Sequence, residues 1–177
     1  MKTVKLMMAL SAVLILACPL FAESRFEEDI RTLLCDMAKA KDPEPSIQRF
    51  YDVRKHMSVD VNVACDDEGN TPLRIATALA NVKAVEVFCD NGAIIDELSV
   101  FMAVRRDSID IMKIFIDHGA SVFFTVDNGR SPASLRAISP EMRELLEEAS
   151  EAEMAREREL EQQRKEFSTS LKGAMNQ

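Results

Sequence analysis

Two glycines, each at the end of an apolar segment, constrain the fold more than any other feature of this sequence. Gly92 lies 16 positions after Ala76, and Gly119 lies 16 positions after Ala103. Glycine readily adopts the left-handed conformation that ends a helix. In both intervals, two short apolar segments flank a polar turn. The spacing therefore predicts a unit of helix, turn and helix that is used twice.

Helix starts are marked by a hydroxyl residue directly before a proline. The pair is Thr-Pro at 71–72 and Ser-Pro at 131–132 and 139–140. The hydroxyl can accept a hydrogen bond from an N–H of the first turn, and a proline at the first helical position gives up no hydrogen bond. The chain also has 10 Met but only 5 Gly and 6 Pro, which disfavours a turn-rich β fold. We therefore expect an all-α fold.

The opening of the first unit resembles the ankyrin repeat. Residues 71–76 read T-P-L-R-I-A, which is similar to the T-P-L-H-x-A signature of that family, with Arg74 in place of His. Residues 85–93 are similar to the end of the family's second helix, and residues 59–69 and 127–132 are similar to its hairpins.

The resemblance, which covers residues 26–149, implies an ankyrin-type helix-turn-helix solenoid. It would be all-α, with about four repeats, short β-hairpin loops and a long C-terminal helix. The interval from Gly92 to Ala103 is six residues shorter than the equivalent interval from Gly119 to Arg136. The middle hairpin is therefore expected to be too short to project from the repeat. Each repeat would bury its apolar face against its neighbours. The side chains expected to face inward are Val85, Phe88, Cys89, Ile111, Ile114 and Phe115.

The first 22 residues have the layout of a secretory signal peptide. Two lysines precede an apolar run over 6–18, and Ala22 is a small residue at a suitable cleavage point. We therefore expect an exported protein of the periplasm or cell envelope, with no membrane insertion after cleavage. In an alternative interpretation, residues 15–18 resemble a bacterial lipobox and Cys18 carries a lipid anchor.

The rest of the chain divides into three segments. We expect the ankyrin-type domain over 23–138, a capping and extended charged helix over 139–167, and a disordered tail over 168–177. An apolar stripe opens the helix, formed by Met142, Leu145, Leu146 and Ala149. Charged residues dominate beyond Ser150, so a solvated helix is expected there, with dimerisation through it as the alternative.

Removal of the leader would leave three cysteines, Cys35, Cys65 and Cys89. An odd number at irregular spacing, without a CxxC pair, matches neither a zinc site nor a disulfide framework. We therefore expect two buried cysteines and one in a loop. A minor functional hypothesis is a thiol-based redox or stress-protection component that uses Cys65.

Charge and motifs argue against nucleic-acid binding and catalysis. The 22 Lys and Arg against 30 Asp and Glu give a formal charge of −8, which becomes −10 when the two leader lysines are removed. Such an acidic chain repels phosphate backbones. The sequence contains no G-x-S-x-G, H-E-x-x-H, Walker or dinucleotide-binding motif. We expect no enzyme activity, no catalytic residue, no metal and no cofactor.

The resemblance implies an adaptor or regulator that binds another protein through hairpin tips and inner helices. Carried onto this sequence, the partner-binding residues are Asp66, Asp67, Glu68, Asn70, Arg74, Thr77, Arg105, Arg106, Phe123, Phe124 and Arg130. Phe123 and Phe124 stand out because exposed aromatic residues can anchor an interface, although the long helix could instead cover them. A competing hypothesis is a structural or oligomerising envelope protein that acts through the C-terminal helix.

Overall fold

The computed structural model describes residues 25–124 and 138–175, so the expected leader and the hairpin at 127–132 lie outside the described residues. Within the described ranges the chain forms helices and loops and no β-strand, which confirms the all-α prediction. The helices are α1 (25–39), α2 (Glu44–Arg54), α3 (Pro72–Ala78), α4 (Val82–Asp90), α5 (Glu97–Arg105), α6 (Ile109–Asp117) and α7 (Pro140–Met175).

The predicted helix-turn-helix unit occurs twice, as α3 with α4 and as α5 with α6. The second helices both have nine residues, and their first residues, Val82 and Ile109, are 27 positions apart. The same offset separates Gly92 from Gly119, whose φ angles are 84° and 79°. Both glycines therefore end a helix in the left-handed conformation that the sequence predicted.

The turns inside the two units have the same backbone hydrogen bond. The N–H of Asn81 donates to the carbonyl of Ala76 at 2.9 Å, and the N–H of Ser108 donates to the carbonyl of Ala103 at 3.0 Å. The predicted cap at Thr71 is also present, because its hydroxyl accepts a hydrogen bond from the N–H of Arg74. Local sequence thus determines where these short helices begin and end.

The chain divides into two compact units, of which one ends at Gly92 and the other begins at Ala93. In the first unit α3 packs against α4, and in the second α6 packs against both α5 and α7. The largest fully buried side chains of the first unit include Leu34, Met37, Phe50, Leu73 and Phe88. Those of the second include Val100, Ile111, Met112, Phe115 and Met142.

The inward-facing residues follow the prediction with one exception. Val85, Phe88, Cys89, Ile111 and Phe115 are buried. Ile114 is only partly buried, and Met112 is buried in its place. Ile111, Met112 and Phe115 form the buried stripe of α6, and Ile114 lies at the edge of that stripe.

The loop between α2 and α3 differs from the expected β-hairpin. Residues 58–70 contain no strand. The end of the loop has two backbone hydrogen bonds, from the N–H of Cys65 to the carbonyl of Asn70 at 2.8 Å and from the N–H of Gly69 to the carbonyl of Asp66 at 3.1 Å. A strand pair needs a ladder of such bonds. The structure therefore has a tight turn where the resemblance implied a hairpin.

The C-terminal helix α7 continues to Met175, beyond the predicted end at residue 167. No proline or glycine interrupts residues 168–172, so nothing in the sequence stops the helix there. Met142 and Leu146 are buried, whereas residues 154–169 are all exposed. The helix thus has a short packed start and a long solvated part. Among the described residues, no helix has the length and apolar character needed to cross a membrane.

Candidate protein-binding surface

Phe123 presents a large aromatic side chain to solvent from an anchored backbone. Its side chain is 51% exposed, although the preceding residue, Val122, is only 8% exposed. The N–H of Val122 donates to Oε2 of Glu153 on α7 at 3.1 Å, and the N–H of Phe123 donates to the hydroxyl of Ser121 at 3.1 Å. The backbone here is fixed by α7, while the Phe123 side chain stays outside the core.

The neighbouring Phe124 is partly buried. About half of the Phe123 side chain is accessible, so it is not fully covered. The alternative interpretation, in which the long helix covers both phenylalanines, does not describe this residue. A contact with α7 is made by the main chain at Val122.

The loop at Asp66–Asn70 is organised by the Asp66 carboxylate. Its Oδ1 accepts hydrogen bonds from the N–H of Asn70 at 2.9 Å and from the N–H of Glu68 at 3.2 Å. Its Oδ2 accepts one from Nδ2 of Asn70 at 2.9 Å. These bonds, led by the side-chain bond from Asn70, hold the pKa of Asp66 below its ordinary value because they favour the charged form.

Asp66 and Asn70 are therefore structural residues of the loop as well as candidate contact residues. Nδ2 of Asn70 also lies 3.3 Å from Oε2 of Glu68, so the loop brings these three predicted site residues together. Asp67 and Glu68 are exposed at the tip of the loop. The tip presents carboxylates on a defined backbone.

The predicted site residues on helices differ in their exposure. Arg74 is partly exposed on α3, and Arg105 and Arg106 are exposed at the end of α5. Thr77 is fully buried, and its hydroxyl donates to the carbonyl of Leu73 at 2.8 Å. The assignment of Thr77 to a binding surface is wrong, because its hydroxyl is satisfied inside its own helix.

Arg130 lies outside the described residues. The described site residues from Asp66 to Thr77 belong to the first unit, and those from Arg105 to Phe124 belong to the second.

A disulfide joins Cys35 on α1 to Cys65 in the loop before α3, with 5.7 Å between their Cα atoms. The cysteine spacing gave no indication of this bond, although Cys35 and Cys89 are buried and Cys65 lies in a loop, as expected. The two bonded residues are 30 positions apart in sequence, and their pairing depends on where the loop packs, which spacing does not encode. Cys65 consequently has no thiol available for redox chemistry while this bond is intact.

Cys89 does not take part in the disulfide, and its thiol is buried. Burial, with a smaller contribution from Asp90, raises the pKa of the Cys89 thiol to about 12. It is therefore protonated and unreactive in the folded protein. In the described ranges, no group of three or more His, Cys, Asp or Glu side chains is placed to hold a metal ion.

Comparison with known proteins gives a partial likeness. No family model matches the sequence. Over 106 aligned residues the chain is 26% identical to BRCA1-associated RING domain protein 1 of Caenorhabditis elegans. The alignment covers 56% of this chain and 15% of that protein, so the chain spans only a small part of the relative's length. The helical structure is compatible with this likeness.

Proposed function

We propose that this chain is a non-enzymatic protein-binding module of the ankyrin type, an adaptor or regulator. The observation that carries the proposal is the half-exposed Phe123 side chain on a backbone held by Glu153. Aromatic residues contribute disproportionately to binding energy at the centre of interfaces. A side chain on a fixed backbone also loses less conformational entropy on binding than one on a loose loop.

The ankyrin-type arrangement, a solenoid of about four repeats, is part of the same proposal. The two helix-turn-helix units with a 27-residue offset support it, since repeat proteins reuse one supersecondary unit. The relative from Caenorhabditis elegans is named for its association with another protein, which agrees with a binding role.

We place the module in the periplasm or cell envelope. The disulfide between Cys35 and Cys65 supports this location, because such bonds persist in oxidising compartments and are rare in the cytosol. The signal-peptide layout of the first 22 residues points in the same direction.

The test is co-purification of a partner from crosslinked envelope extracts. Phe123→Asp places a charge where an apolar contact is proposed and should abolish capture. Phe167→Asp is the matched control, because Phe167 is an exposed phenylalanine (66%) on the solvated part of α7. Both variants should melt as the wild type does. Full capture by Phe123→Asp would overturn the proposed surface.

A second candidate function is oligomerisation through α7. The solvated part of the helix exposes three large apolar side chains, Met154, Leu160 and Phe167. Leu160 and Phe167 are seven residues apart, which places them on one face of the helix. Light scattering on the wild type and on Phe167→Asp tests this candidate. A dimer that becomes a monomer in the variant would favour it, and a monomeric wild type would exclude it.

A further inference from the structure

The first unit contains a half-open apolar groove between the start of α1 and the loop that follows α2. Its volume is about 520 Å³. The apolar side chains that line it are Phe26, Ile30, Met57, Val59 and Val63. Phe26 is 44% exposed and Met57 is 37% exposed, so both leave apolar surface in water. Such a surface is stabilised when another apolar group covers it.

The loop wall of the groove is held in place by its own contacts. Val61 lies between Val59 and Val63 and is only 2% exposed, so it anchors the loop in the core. The N–H of Asn62 donates to Oδ1 of Asp60 at 2.9 Å, and Nδ2 of Asn62 donates to the carbonyl of Gly92 at 3.2 Å. The groove is therefore preformed, which lowers the entropy cost of filling it.

The disulfide connects the two walls of the groove. Cys35 lies on α1, which carries Phe26 and Ile30, and Cys65 lies two residues after Val63. Breaking this bond would remove the covalent link between the loop and the helix and leave the contacts of Val61 and Asn62 to hold the loop. We therefore expect reduction to loosen the spacing of the two walls.

The rim of the groove is acidic. Three carboxylates, Glu27, Glu28 and Asp60, line it together with one guanidinium, that of Arg31. Arg31 Nη2 lies 2.6 Å from Glu28 Oε1, so these two charges compensate each other. The two other carboxylates give the rim a net negative charge. A basic side chain entering the groove would find complementary charge there.

We infer that this groove docks a segment of a partner protein in which an apolar side chain is flanked by Lys or Arg. The apolar side chain fills the space between Phe26 and Met57, and the basic side chains face Glu27 and Asp60. The groove shares no residue with the candidate surface around Phe123. It is a second contact site, and its test is independent of that surface.

The experiment uses the full oxidised chain and fluorescein-labelled short peptides in which one Phe, Leu or Met is flanked by Lys. The matched peptides carry Glu in place of Lys. Fluorescence anisotropy should detect binding of the Lys peptides and not of the Glu peptides. No binding of any Lys peptide, or equal binding of the Glu peptides, overturns the inference.

Surface variants separate the contribution of the groove from non-specific attraction. Phe26→Ala should weaken binding about tenfold, as expected for losing part of a buried aromatic contact. Leu79→Ala is the control, because Leu79 is 54% exposed in the same unit and does not line the groove. Glu27→Lys should also weaken binding, whereas Glu86→Lys on the exposed side of α4 should not. Equal effects of the groove and control variants contradict the inference.

The remaining measurements test what fills the groove and whether binding depends on the disulfide. Light scattering on the wild type and on Phe26→Asp tests the other occupant, and both should have the same oligomeric state. A dimer that becomes a monomer in Phe26→Asp would identify a second copy of this chain as the occupant and overturn the inference. Phe123→Asp should bind the peptide as the wild type does. Cys35→Ser should lose most of the binding while circular dichroism shows the helices retained. Unchanged binding in that variant would refute the dependence on the disulfide.

Discussion

Ala80 and Asp107 occupy equivalent positions in the two helix-turn-helix units, and both have a left-handed backbone, with φ of 56° and 55°. This conformation costs an alanine about 1–2 kcal/mol, whereas Asp is better tolerated in it. At Asp107 the turn also makes a contact, because Oδ1 accepts hydrogen bonds from the N–H and the hydroxyl of Ser139 at 3.0 and 2.9 Å. One backbone geometry therefore serves the turn of both units, and in the second unit it also anchors the start of α7.

Glycine substitutions at these two positions should have opposite effects. Ala80→Gly relieves the left-handed strain and should raise the free energy of unfolding by up to about 1 kcal/mol. Asp107→Gly removes both hydrogen bonds to Ser139 and should lower it by about 1–2 kcal/mol. Urea denaturation measures both values. A shift in the same direction for both variants would contradict the assignment of these turns.

The Asn81 side chain has two roles that substitutions can separate. Its Oδ1 caps α4 by accepting from the N–H of Ala84 at 3.3 Å. Its Nδ2 is shared among three carbonyls at the end of α1, the nearest being that of Ala40 at 3.0 Å. Asn81→Ala loses both and should destabilise the protein by about 2 kcal/mol.

Asn81→Asp keeps the cap but places a carboxylate against carbonyl oxygens, so it should destabilise the protein as well. Ser108→Ala at the equivalent position is the control, since Ser108 makes no side-chain cap hydrogen bond. We expect this control to change the unfolding free energy by less than about 0.5 kcal/mol. If Asn81→Asp is as stable as the wild type, the hydrogen bonds from Nδ2 of Asn81 to the carbonyls of α1 contribute nothing to the free energy of unfolding.

The disulfide between Cys35 and Cys65 should contribute substantially to stability. For a closed loop of this length, the chain-entropy relation gives about 3–4 kcal/mol. The double variant with Ser at both positions should lower the urea midpoint accordingly, and reduction of the wild type should have the same effect. An unchanged midpoint on reduction would show that the bond does not form.

Alkylation of the unreduced protein provides an independent check on this pairing. Among Cys35, Cys65 and Cys89, only Cys89 should be modified, and only after unfolding, because burial raises its pKa to about 12 in the folded state. Mass spectrometry of the cysteine-containing peptides identifies the modified residue. Rapid modification of Cys89 in the native protein would contradict its burial.

Asp66 should make the stability of the first unit depend on acidic pH. Its pKa in the folded protein lies below the ordinary value of 3.8. The stability that the ionised Asp66 contributes is therefore fully present above pH 3.8, and it is lost as the pH falls through the lowered pKa of the folded state. Urea midpoints from about pH 5 to about pH 2 should decline less steeply in Asp66→Asn than in the wild type. Asp67→Asn is the control, because it removes one charge at the adjacent position. The urea midpoint of this control should decline as steeply as that of the wild type.

The features that the sequence predicted are those that depend on neighbouring residues. The cap at Thr71 and the left-handed Gly92 and Gly119 each require only a few adjacent residues, and all three are present in the structure. The repeated spacing then placed the helices of both units. Burial of Phe88 and Phe115 followed from the same periodicity.

The features that the sequence missed depend on contacts between distant residues. The pairing of Cys35 with Cys65 requires the loop to pack on α1, although an exported chain with several cysteines was a signal that could have suggested it. Thr77 was assigned to the surface by resemblance, but its hydroxyl is satisfied by Leu73 inside α3. The groove at Phe26 also went unpredicted, because its two walls are more than 25 residues apart in sequence.

Photo-crosslinking from single positions tests the proposed binding function most directly. Benzoyl-phenylalanine replaces Phe123 in one variant and Phe167 in another, and each full chain is irradiated in the cells that produce it. The protein-binding proposal predicts an adduct with a different protein from position 123 and no such adduct from position 167. An adduct formed only from position 167, between two copies of this chain, would contradict the proposal and favour oligomerisation through α7.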